Sequence, residues 1–111
     1  MGLFRKAPYA ELIDRQIALF LADNADLLRR IEAAERLYRE ADAGEATPRE
    51  ATQLWGDVVD LVEEGTEILA DVRDHYAWNQ LDAEAQEVYV AAFNRAVQKR
   101  LPRFGLEIEN R

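Results

Sequence analysis

The chain has 111 residues, 49% hydrophobic and 32% charged, and its 22 acidic against 14 basic side chains give a formal net charge of −8. This length suits one compact domain, and the acidic excess argues against nucleic acid, whose phosphates select Lys and Arg. Cysteine and serine are both absent, which removes disulfide frameworks, thiolate metal sites and the Cys and Ser nucleophiles, and agrees with a reducing, cytoplasmic setting.

No run of about 18 apolar residues occurs, so no membrane span is expected. The opening Met1-Gly2-Leu3-Phe4-Arg5-Lys6 lacks the apolar core of a secretory signal and the Ser or Thr of a myristoylation motif. Residues 1–8 are expected to form a short arm. From 9 to about 43 nothing interrupts a helix. Ile13, Ile17, Phe20, Asn24, Leu27, Ile31, Ala34, Tyr38 and Ala41 recur at alternating spacings of four and three, the heptad seam by which one helix lies along another. Leu21 and Leu28 widen this seam. Asn24 is its polar exception: buried, it would fix register and oligomeric state, and otherwise it would bond to Thr66 or water.

Ala43-Gly44-Glu45-Ala46 marks a turn, with Gly44 able to take the left-handed conformation that ends a helix. Thr47-Pro48-Arg49-Glu50 then carries a helix start: Thr47 as N-cap, Pro48 in the first turn and Glu50 closing a capping box. The second helix is expected over 48–76. Its seam is Ala51, Trp55, Val58, Val62, Gly65, Leu69, Val72 and Tyr76, and a flanking row of Leu54, Leu61 and Ile68 repeats every seven residues. A short turn makes the two helices antiparallel neighbours, with Tyr38 near Trp55 and Leu27 near Gly65.

Trp78-Asn79-Gln80-Leu81 reads as a second turn, and Asp82 as the N-cap of a third helix over 83–101 that Pro102 stops. In the tail, 102–111, Phe104, Leu106 and Ile108 alternate and are expected to dock on the helices. The fold class is therefore all-α: a long antiparallel helical hairpin plus a shorter third helix, with coiled-coil-like packing over 9–101. A third helix this short leaves part of the hairpin uncovered. A homodimer completing a larger bundle is expected, with Ile13, Ile17, Phe20, Asn24, Leu27, Ile31, Leu54, Leu61 and Ile68 as its self-association residues.

Site chemistry is sparse. Asp57, Asp60, Glu64, Glu67, Asp71 and Asp74 follow spacings of three and four, which aligns six carboxylates in one stripe of the second helix. Such a stripe can dock a basic protein partner, hold a hard cation such as Mg²⁺ or Ca²⁺ weakly, or simply face water. The lone histidine, His75, has Val72 rather than Glu three residues before it, which rules out the paired Glu-x-x-His motifs of diiron bundles. No glycine-rich phosphate loop is present, and no cofactor is expected.

Glu32-x-x-Glu35 followed by Asp57-x-x-Asp60 resembles the paired acids with which all-α nucleoside triphosphate pyrophosphohydrolases of the MazG type hold Mg²⁺. Both acids of the second pair are Asp, where that family begins with Glu. The resemblance implies a Mg²⁺-dependent phosphohydrolase with these four residues as metal ligands. The main expectation is a non-catalytic helical protein–protein interaction protein, a self-assembling adaptor or a small subunit of a larger complex.

Overall fold

A computed structural model describes residues 8–105 and 107–111. These form five α-helices, α1 (Ala10–Asp23), α2 (Ala25–Ala43), α3 (Pro48–Gln80), α4 (Ala83–Arg100) and α5 (Pro102–Gly105), followed by a 3-10 turn at Ile108–Asn110. The described residues contain no strand. Residues 1–7 of the expected arm, and Leu106 of the expected tail, lie outside the described residues.

The first helix is not continuous over 9–43. Asn24 has φ −117° and ψ 27°, and it both ends α1 and precedes α2. Its main-chain N–H and its side-chain Nδ2 both donate to the carbonyl of Phe20, at 3.0 and 2.9 Å. A short amide side chain competes with the helix for main-chain partners, and here that competition bends the chain. Asn24 therefore bonds neither to Thr66 nor across a helix seam, since Thr66 Oγ1 donates to the carbonyl of Val62. Beyond the bend α1 packs against α4, while α2 packs along α3.

Thr47 caps α3 as its sequence implies, its Oγ1 accepting from the N–H of Glu50 at 3.2 Å, with Pro48 in the first turn. Gly44 is not left-handed: its φ is −107°. What favours glycine there is space, because a Cβ would stand 3.0 Å from the carbonyl oxygen of Glu40. Helix α3 runs on past residue 76 to Gln80, and the expected turn at 78–81 shrinks to Leu81. Ala77, only 1% exposed, gives that last turn a packing reason to persist. Asp82 caps α4, accepting from the N–H of Ala85 at 2.9 Å.

The core is built from Ile13, Ile17 and Phe20 of α1, Leu27 and Ile31 of α2, Leu69 of α3, and Tyr89, Phe93 and Val97 of α4. The tail completes it. Phe104 and Ile108 are 1% and 0% exposed, and the ring of Phe104 meets Phe20 edge-on, centroids 5.6 Å apart. Gly65 makes room for that ring rather than for Leu27: a Cβ on Gly65 would lie 2.5 Å from Cε1 of Phe104. The molecule is elongated, 57 × 30 × 23 Å.

Gly65→Ala is expected to destabilise the fold by about 1–3 kcal/mol through overpacking. It does so although alanine is favoured over glycine in a helix by about 1 kcal/mol. In a Phe104→Ala background the same change is expected to be neutral or stabilising. Urea unfolding of the four proteins checks this, and simple additivity would contradict the steric account.

Candidate functional site

Two polar arrangements are built into the core. Arg73 of α3 is 3% exposed, the one buried charged side chain among the described residues. All five of its guanidinium N–H groups are engaged. Nε donates to Asp74 Oδ1 at 2.8 Å and Nη2 to Asp74 Oδ2 at 3.3 Å. Nη1 donates to Asn94 Oδ1 and to the carbonyl of Ile108, both at 2.9 Å, and Nη2 also reaches the main-chain oxygen of Arg111 at 2.6 Å. A guanidinium offers five donors in a fixed fork, and here each finds an acceptor within the chain. Arg73 therefore joins α3, α4 and the tail, and has no N–H left over for a ligand.

Tyr89 of α4 is fully buried, and its hydroxyl donates to Gln16 Oε1 of α1 at 2.9 Å. The rings of Tyr9, Tyr76 and Phe93 surround it at centroid distances of 5.5, 5.0 and 6.0 Å. Burial pushes its pKa from 10.0 up to about 12. Neither Arg73 nor Tyr89 stands out in the sequence. Arg73 lies seven residues from Thr66 on a flank of α3, and an arginine in line with a buried threonine is the faint signal it leaves.

The acidic stripe is present but uneven. Asp57, Asp60, Glu64 and Asp71 are exposed. Glu67 is held by Arg111 at 2.9 Å, and Asp74 is occupied by Arg73. Ion pairs thus engage Glu67 and Asp74 toward the C-terminal end of the stripe, while Asp57, Asp60, Glu64 and Asp71 face water.

The four acids of the Mg²⁺ reading are not brought together. Glu35 receives both Nε and Nη2 of Arg103, at 3.2 and 2.8 Å, and Glu32 borders the same groove beside Leu101 and Pro102. Asp57 and Asp60 lie on the outer flank of α3. Among the described residues no three His, Cys, Asp or Glu side chains gather where a metal ion could be held. The reason is rotational: Glu35 turns toward the tail, where Arg103 holds it, while Asp57 and Asp60 are exposed on α3. His75 is exposed near the end of α3, with Asn79 Nδ2 3.2 Å from its Nδ1.

Of the expected self-association residues, Ile13, Ile17, Phe20, Leu27 and Ile31 are buried within the single chain. The bend at Asn24 and the docked tail cover them, so in this conformation they are core rather than contact surface. Leu54, Leu61 and Ile68 keep partial exposure. Around them lies an exposed apolar surface that includes Leu37, Trp55 and Val59, while Trp78 at the other end of α3 and Leu19 of α1 are exposed singly, at 72% and 61%. Tyr89 meets Tyr76 and Asn94 meets Arg73, so α4, ending at Arg100, reaches back only to about the level of Thr66. Beyond that level, among the described residues, α2 and α3 have only each other. Tyr38 and Trp55 touch there, centroids 5.1 Å apart, yet Val58 is the one buried residue in 32–64. Leu37 and Trp55 are 53% and 50% exposed.

No protein-family model, curated protein or solved structure matches the chain. Fold and surface define a class: an all-α protein whose polar core chemistry is structural and whose described helices include none long and apolar enough to cross a membrane.

Two outcomes follow from the buried groups. Arg73→Met is expected to cost about 3–5 kcal/mol in chemical denaturation, the range for breaking a buried ionic network. Arg73→Lys is expected to recover little, because an ammonium cannot reproduce the fork. A loss below about 1 kcal/mol would remove the clamp. Tyr89 contributes a pH dependence of known sign. Its folded pKa lies above the unfolded one, so its stabilising effect is complete below pH 10 and is lost as pH rises toward 12, by about 1.4 kcal/mol per unit. Tyr89→Phe is expected to remove that part of the slope, as measured by denaturation at pH 9 to 12.

Proposed function

We propose that this protein is a non-catalytic helical protein–protein interaction protein, an adaptor or small subunit that works through the projecting α2–α3 hairpin. The observation that carries the reading is the contrast between the two ends of that hairpin. One end packs against α1, α4 and the tail and exposes the single large apolar side chain of Trp78; the other holds out Leu37, Trp55 and Val59 together, each exposed by a third or more. Apolar side chains clustered on a surface and rimmed by charge mark interaction sites. The core's polar groups are consumed by the fold itself, and the grooves among the described residues are partly open to solvent, which suits association better than chemistry that needs water excluded.

Asp57, Asp60 and Glu64 give the projecting end a negative border, which Asp71 continues onto the embedded half of α3, so the partner it suits is a basic protein surface. The same hairpin is where self-association would take place. Among the described residues the four acids of the MazG-like resemblance do not gather into a metal-binding set, which lends the phosphohydrolase reading no support.

Pull-down from a lysate of the native host, followed by calorimetry with the recovered protein, tests the basic-partner reading. Asp57→Asn, Asp60→Asn and Asp71→Asn together are expected to weaken binding at least tenfold and to flatten its salt dependence. Capture that is indifferent to these changes, or no protein partner at all, would refute it.

A further inference from the structure

Resting on the reading of the α2–α3 hairpin as an interaction surface, we infer that its uncovered face binds a second copy of this chain. The two hairpins would point the same way about a two-fold axis parallel to their helices.

The face can be located from the contacts of its opposite side. On α2, Leu28, Glu32 and Glu35 turn toward the tail, with Glu35 held by Arg103. On α3, Thr66 and Arg73 turn toward α4 and the tail. The opposite flanks carry Arg30 and Leu37, seven residues apart on α2, and Leu54, Leu61 and Ile68, spaced by seven on α3. Residues seven apart share a stripe of a helix, and these two stripes lie on one side of the hairpin. Leu37 is 53% exposed, and Leu54, Leu61 and Ile68 are half-buried. Arg30 and, on the edge beside Leu61, Glu64 are exposed, and among the described residues neither forms an ion pair.

Charge selects the occupant. The Tyr38–Trp55 contact fixes the register of the hairpin: each step forward along α2 is one step back along α3. Arg30 is therefore level with Glu63 and Glu64, though both flanks face outward. A two-fold axis parallel to the helices preserves height and exchanges left for right. It lays α2 of one copy over α3 of the other, and brings Arg30 to Glu64 of the second copy twice. Leu61 of both copies lies beside these two charge pairs, and Leu37 and Leu54 of both copies meet two turns nearer the 44–47 connection. A two-fold interface must be self-complementary, and this face has its opposite charges at matching heights.

Sedimentation equilibrium of the full chain at 5–100 μM tests the arrangement. The wild type is expected to dimerise. Arg30→Glu is expected to weaken dimerisation at least tenfold, and so is Glu64→Arg, each by placing like charges in contact. The double variant Arg30→Glu/Glu64→Arg is expected to restore it, because the swapped pairs are again complementary. Both positions are exposed, and circular dichroism checks that each variant remains helical. A chain monomeric throughout the range overturns the inference, as does a dimer indifferent to the charge reversals. Either result leaves the basic-partner reading standing, because that depends on capture by Asp57, Asp60 and Asp71.

Discussion

The fold turns on five hydrogen bonds from one side chain. Arg73 takes a guanidinium into the interior and meets a carboxylate, a side-chain amide and two main-chain oxygens. Burying an unpaired charge would cost far more than a domain of this size can supply, so the acceptors and the arginine require one another. Two of those acceptors belong to the tail. Once the tail is fixed, Phe104 fills the notch at Gly65, and Ile108 closes the space between α3 and α4. Peripheral ion pairs, Arg103 with Glu35 and Arg111 with Glu67, then tie the tail to α2 and α3, but exposed pairs of this kind add little by themselves.

The clamp and the bend at Asn24 together divide the molecule. Bending lets α1 leave the line of α2 and lie on α4, which concentrates the aromatic side chains around Tyr89 at one end. The tail seals the middle. Among the described residues the far half of α2 and α3 then has no third element, and its small seam residues Ala34, Ala41 and Ala51 bury little. An end with one fully buried side chain, Val58, has few contacts of its own to lose and much apolar surface to gain by association.

What the sequence made legible was the local chemistry. Thr47, Pro48 and Asp82 carry capping signals that act within one helical turn, and heptad spacing put Tyr38 beside Trp55. What it hid depends on distant residues. Asn24 looks like a buried seam amide until its side chain is seen to bond four residues back. Gly65 reads as a helix–helix approach because the ring that needs the space arrives from position 104. Arg73 appears as one more charge in a charged helix, since nothing local shows that its acceptors come from residues 94, 108 and 111. The acidic stripe was visible as a pattern, but not the tail that occupies Glu67 and Asp74. The paired acids at 32, 35, 57 and 60 had plausible spacing on flanks that never meet.

The central claim is that the projecting end of α2 and α3 is an association surface rather than part of the core. Amide hydrogen exchange at two protein concentrations tests it most directly. The account predicts that amides of α3 and α4 around Arg73 and Asn94 exchange only through global unfolding at either concentration. Those between residues 34 and 61 should open locally in dilute solution and gain at least tenfold protection at 100 μM. Equal and concentration-independent protection at both ends would contradict it.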